Sequence, residues 1–343
     1  MKKIISNLIL LIIFILIILI IILSTIGVET NKFNNFVSKK INQTNNNINL
    51  ELKTIKFKFS LKEISLFLET NNPSINYRNA VIPAKNIKVY MDFISFLKKE
   101  PKIKKINLTL NQFDIEQLKK MSIILKPSNF TSFVNNKIKK GKINTEIEVY
   151  LDNDNLLDNF IARGSVSNLK AEIFNDINLE KTSFNFFADK TDILIKNFFS
   201  ETGPIKIIDG DIKLDFSQEI SLESNFKTNI QYDAKFINYF KSIKYYNNSK
   251  DIVNLEASLN NRFFINFDKT YKVKNYNYKS TGVIVKADLD FKKPLQNYFS
   301  GKTINKLTLI NSEIKTDFSS QKNTTNILGK YSLNGGNVLS FNL

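Results

Sequence analysis

The 343-residue chain has no cysteine, no histidine and no tryptophan, and only 10 glycines and 6 prolines. Each absence removes a class of chemistry. Without cysteine there is no disulfide framework and no thiolate nucleophile, and without cysteine and histidine there is no ordinary zinc or iron–sulfur site and no imidazole base. Among the few glycines neither G-x-G-x-x-G nor G-x-x-x-x-G-K-[ST] occurs, so nucleotide binding has no support. The chain therefore reads as a non-enzyme that needs no cofactor. Acidic residues are the scarcer charge, 32 against 49 Lys and Arg, for a formal net charge of +17. The lysines are spread along the whole chain, and arginine, the residue that dominates base-edge contacts, is nearly absent. No nucleic-acid partner is expected. The two small clusters KKEPKIKK and KIKKGK suit anionic headgroups better.

What the chain does have is a long hydrophobic run. Leu8 to Leu23 contains no polar residue and reaches about 20 residues if Ile4, Ile5 and Ile26 are counted, enough to span a bilayer. Lys2 and Lys3 precede it, as in a signal peptide, but the following STIGVET has no A-x-A-like cleavage site. Residues 1–27 are therefore expected to be an uncleaved, single-pass transmembrane signal anchor. Flanking lysines are nearly balanced, with Lys32, Lys39 and Lys40 on the far side. Because long domains translocate largely regardless of charge, the expected orientation puts the N-terminus in the cytoplasm and the bulk outside.

Beyond the anchor, Ile26, Phe33, Phe36, Val37 and Ile41 approximate a helical stripe up to the Asn-rich NQTNNN. The period then becomes two. IEQLKKM and a segment starting at Ser128 read as short helices, the second carrying Lys139 and Lys140 in its last turn and stopping at Gly141. Residues 28–141 form one region on this reading, and 142–343 a second in which amphipathic strands repeat.

The repeat is clearest in KINTEIEVYL. Ile143, Ile147, Val149 and Leu151 point one way on an extended chain, and Asn144, Glu146, Glu148 and Tyr150 the other. DGDIKLDF sets Ile212, Leu214 and Phe216 against charged neighbours. ISLESNFKTNIQYD does so with Leu222 and Phe226, and GVIVKADLDF with Val283, Val285 and Leu289. Turn residues at 153–155, 202–204, 209–210 and 300–302 are expected to separate the strands. DAKFINYFKSIK is the single later stretch with helical spacing. So few helices cannot cover so many strands. The apolar face is either buried inside a sandwich or barrel, or left as an open groove. DNDNLLD resembles a calcium loop but has Leu157 and Arg163 where glycine and glutamate are required, and reads as a hairpin turn.

A membrane anchor, a short helix, a strand pair and then SINYRNAVIPAKNIKVYMDFISFLKKEPKIKKINLTLNQFDI follow an order that resembles the N-terminal region of the AsmA-like family, the group that includes TamB and YhdP. The segment from NFIARGSVSNLKAEIF to GPIKIIDGDIKLDF is similar to the repeating unit of the YhdP-type members. The resemblance covers most of residues 1–220 and implies a mainly β fold: a transmembrane helix, then an elongated, curved antiparallel sheet forming an open, taco-like groove. It also implies a bridge-type lipid carrier in the bacterial inner membrane, its bulk in the periplasm, whose groove conducts phospholipid acyl chains toward the outer membrane. Ile143, Ile147, Val149, Leu151, Ile212, Leu214, Phe216, Leu222, Phe226, Val283, Val285 and Leu289 are the groove candidates. The alternative is a membrane-anchored structural or assembly factor whose strands pair with a periplasmic or outer-membrane protein. LGKYSLNGGNVLSFNL ends within an alternating stretch, so the chain is expected to act as one segment of a longer groove or with a partner.

Overall fold

The computed structural model describes residues 2–30, 34, 48–52, 54–78, 80–92, 102–123, 129–152, 156–174, 177–217, 219–233, 236, 250–268, 272–296, 301 and 303–343. The chain opens with helix α1 (Lys2–Thr25), whose Ile4–Thr25 segment has a mean hydropathy of 3.6 and is long and apolar enough to cross a membrane. As a sequence feature it fits an anchor or a signal sequence. Its end is built by a left-handed stop. The amides of Ile26 and Gly27 both donate to the Ile22 carbonyl, at 3.0 and 2.9 Å, and Gly27 has φ +74°. A Cβ on Gly27 would also lie 2.7 Å from Lys58 Cγ, so glycine is required twice over.

The chain then runs through β1 (Val28–Thr30), β2 (Ile48–Glu51), β3 (Ile55–Ser60), β4 (Ser65–Asn71), β5 (Ser74–Tyr77), β6 (Ala80–Ile82), β7 (Ala84–Met91), β8 (Ile103–Leu110) and β9 (Phe113–Asp114). Helices α2 (Ile115–Ile123) and α3 (Asn129–Lys137) follow, the first matching the helical spacing of IEQLKKM. After them come β10 (Ile138–Leu151), β11 (Leu157–Phe174), β12 (Ile177–Ala188), β13 (Asp192–Thr202), β14 (Ile205–Asp215) and β15 (Ile220–Tyr232). The last five strands are β16 (Lys250–Phe267), β17 (Val273–Gln296), β18 (Thr303–Ser319), β19 (Asn323–Leu333) and β20 (Leu339–Asn342). The fold is mainly β, dominated by a large curved antiparallel sheet that does not close.

Two compact units share the chain, residues 1–131 with 143–164, and residues 132–142 with 165–343. In the first, β1, β3, β4, β7, β8 and β10 pair in that order, all antiparallel. A separate small sheet joins β2, β5 and β6. In the second unit β12 through β20 form a meander in which every strand is antiparallel to the next.

Two expectations need correcting. Asp209 and Gly210 do not turn the chain. They lie inside β14 as a bulge, Asp209 taking φ 51°, while Ile207 pairs with Thr228 and Ile212 with Ser224. The bulge absorbs an extra residue, so a strand that is apolar at odd positions before it becomes apolar at even positions after it. Helix α3 also ends earlier than its lysines suggest. Gly141 is buried in phase with Ile143 and Thr145, and the strand runs back through Lys140 and Lys139 to Ile138. Phe33, Phe36, Val37 and Ile41 of the proposed stripe and most of DAKFINYFKSIK lie outside the described residues.

Candidate functional site

In the first unit KINTEIEVYL forms a strand with the two faces that its sequence demands. Ile147 stands opposite Leu108 and Val149 opposite Ile106 on β8, while Glu146 and Glu148 stand opposite Thr109 and Asn107. Ile143 is buried on the same side as Ile147 and Val149, and Leu151 ends the strand in phase with them. The other face carries charge. Arg163 bridges Glu146 and Glu148 at 3.1 and 2.9 Å, and the Tyr150 hydroxyl donates to Glu148 at 2.7 Å. That bond, with burial and the nearby negative charge, pushes the Tyr150 phenol up to about 12. Further along, Phe67 stacks on Tyr90 with centroids 5.1 Å apart, and Lys105 sits 4.4 Å above the Tyr90 ring.

Part of the apolar face of this unit is covered by protein, while Ile147, Val149 and Leu151 stay half-exposed. Leu50, Ile75 and Ile82 of the small sheet lie over Leu68, Ile87, Val89, Ile106 and Leu108 of the large one, around a cavity of about 200 Å³. Ile55 is 2% exposed and Leu68 3%. One polar side chain intrudes. Thr70 follows Leu66 and Leu68 on the inward phase of β4, is 5% exposed, and its hydroxyl has no hydrogen-bond partner. The adjacent Glu69 meets the amine of Lys58 at 2.7 Å and the amide of Asn86 at 3.0 Å. Burial acts to raise its pKa, but these two bonds and the charges of Lys58 and Lys88 outweigh it, and the carboxyl lies below its ordinary value.

The second unit has strands of the same design, and most of its buried apolar side chains, Val134, Val166, Leu169, Ala171 and Leu179, lie at its start. Past Leu179, the buried hydrophobic residues among those described are Tyr232, Ala257 and Ala287. Ile212 sits between Ile195 and Ser224, and Leu214 between Ile193 and Leu222, which continues to Ile265. Phe226 stands opposite Asn261, and Leu289 between Ile252 and Leu307. Ile212, Leu214, Leu222, Phe226 and Leu289 are all half-exposed, and Phe216, just beyond β14, is 42% exposed. Under the small sheet of the first unit a face of this kind buries Leu68 and Val89, while Ile87, Ile106 and Leu108 stay half-exposed. In the second unit no described layer covers it.

Val283 and Val285 depart from the alternation read in GVIVKADLDF. Val283 pairs with Ser258 and Glu313, two residues of the polar face, and is 38% exposed. Val285 lies in a bulge, since Ala257 pairs with Ile284 and Glu256 with Lys286, and is 40% exposed. Gly282 and Ile284 take the apolar phase instead, and β17 changes phase before Ala287 and Leu289. Gly282 is fixed by contact, because a Cβ there would lie 2.1 Å from the Ser258 carbonyl oxygen.

A polar row within the apolar face was not legible from hydropathy. Asn261 is 5% exposed; its amide donates to Thr228 Oγ1 at 2.5 Å, and its oxygen accepts from Tyr278 and Ser280 at 2.8 and 2.9 Å. Ser224, Thr228, Ser280, Ser312 and Thr316 are buried as well, while their larger apolar neighbours are not. The signal that finds them is phase, since Ser224 falls between Leu222 and Phe226 at period two. Small residues of this kind let adjacent side chains lean over them, and the hydroxyls of Thr228 and Ser280 pair with Asn261.

Chemically, the second unit offers an apolar surface in which Asn261, Thr228, Tyr278 and Ser280 are hydrogen-bonded to one another. No cluster of acidic side chains able to hold a metal occurs among the described residues. Comparison with protein families, with characterised proteins and with solved structures finds no match to this chain.

Proposed function

We propose that this protein is a membrane-anchored lipid carrier, single-pass in a bacterial inner membrane, whose second unit holds phospholipid acyl chains against its apolar strand face in the periplasm. The observation that supports this reading most is the half-exposed row of Ile212, Leu214, Leu222 and Phe226, in a stretch where the buried hydrophobic residues past Leu179, among those described, are Tyr232, Ala257 and Ala287. Water is the least favourable cover for such a face, since each CH₂ removed from it contributes about 0.8 kcal/mol whether its neighbour is leucine or an acyl chain. Within the Asn261 network the polar groups are already paired with one another and so offer little for a sliding chain to catch on. The α1 helix would hold the carrier at its lipid source, and its left-handed stop at Gly27 passes directly into β1, which pairs with β3.

The test compares phospholipid extracted from the full chain purified in detergent with that from a Leu222→Asp/Phe226→Asp variant. The variant should retain less than half the phospholipid per chain while keeping the strand signal in circular dichroism. Equal phospholipid in both would mean that the lipid follows the anchor alone, and would overturn the reading.

A further inference from the structure

We propose that the cavity between the two sheets of the first unit is a binding site for an aliphatic chain carrying a hydroxyl group, with Thr70 as its hydrogen-bond partner. This inference does not rest on the lipid-carrier reading, because it concerns a walled cavity in the other unit. Its walls are aliphatic: Leu50 and Ile75 on one side, Leu68, Val89 and Ile106 on the other. The cavity, about 200 Å³, is somewhat larger than the roughly 150 Å³ apolar cavity that accommodates benzene, so it takes about six to eight non-hydrogen atoms.

The hydroxyl of Thr70 sets the ligand's chemistry. It is buried and unpartnered on a strand face where valine would have the same shape and leave no polar atom unsatisfied. Water is a poor occupant, since an ordered water needs two to four polar partners and, among the described residues of the wall, the Thr70 hydroxyl is the one unpartnered polar side chain. A carboxylate or ammonium group is equally unsuited, because the nearest charge, Glu69, is already neutralised by Lys58 and Lys88. A hydroxyl can both give and accept a hydrogen bond, as Thr70 can, and carries no charge into the apolar wall.

The experiment uses the full chain in phosphatidylcholine nanodiscs and a photoreactive diazirine derivative of 1-hexanol, with adducts located by peptide mass spectrometry. Adducts should fall on residues 50–108 around the cavity, and 1-hexanol should suppress them. Thr70→Val should fold normally and require about tenfold more 1-hexanol for the same suppression, while competition by n-hexane stays unchanged. Ile106→Trp, which fills the cavity, should abolish the adducts. Adducts elsewhere only, or a Thr70→Val protein in which 1-hexanol competes as well as before, would overturn the proposal.

Discussion

The two units use the same strand grammar and reach opposite outcomes. In the first, Leu68, Val89 and Ile106 lie under a second layer of protein, and Ile55, Leu68 and Val89 lose nearly all contact with water, Ile106 less so. In the second, Ile212, Leu214, Leu222 and Phe226 occupy the corresponding phase and stay half-exposed, while the buried residues beside them are Ser224, Thr228 and Asn261. Apolar alternation therefore specifies a face, not its cover. What decides the cover is whether the chain returns over that face, as β2, β5 and β6 do in the first unit.

An aspartate placed on each face should separate the two most strongly. Leu68→Asp buries an unpaired charge, costs several kcal/mol and should unfold the first unit. Leu222→Asp loses cross-strand contacts but keeps its charge hydrated, at about 1 kcal/mol. Thermal melts and limited proteolysis of the full chain read both, and equal destabilisation would erase the distinction. Next in size is Gly282→Ala. Its Cβ would meet the Ser258 carbonyl and Leu259 Cα, so β16 and β17 must shift, at about 1–3 kcal/mol. Hydrogen exchange should quicken in those two strands, and leave β3 and β4 unchanged.

A smaller effect concerns acid. The folded Glu69 carboxyl has a lowered pKa, so it binds its proton less readily than in the unfolded chain. Its contribution is present above the unfolded value of about 4.3 and is lost as pH falls through the folded one. Glu69→Gln should cost about 1–2 kcal/mol at pH 7 and flatten the acid limb of the first unit's melting curve. Smallest of all, Arg262→Ala removes an exposed pair with Glu223 at 2.8 Å and should change the melting temperature by less than about 1 °C.

Much of this arrangement can be read in the sequence, and the failures have one physical source. KINTEIEVYL shows its faces directly because β10 pairs with β8 without interruption between Glu146 and Tyr150. The apolar run of α1 is equally plain. Val283 and Val285 mislead because a bulge consumes one residue and reverses the phase, and Asp209–Gly210 resembles a turn because bulges and turns recruit the same left-handed residues. Asn168, Lys181, Asn197 and Asn311 are left-handed within strands in the same way, and nothing in hydropathy distinguishes such positions from loops. The cavity beside Thr70 was not legible either, because it requires knowing that Ile75 returns over Leu68.

The most direct measurement places a photo-crosslinking amino acid at Leu214, Leu222 or Phe226 and, in parallel, at Lys213, Glu223 or Lys227, in the full chain in its native membrane. If acyl chains cover the second unit, phospholipid adducts form at the first three positions and not at the second three, since neighbours on a strand face opposite sides. Adducts without that alternation, or adducts to a protein client at Leu222 and Phe226 in place of phospholipid, would contradict the account.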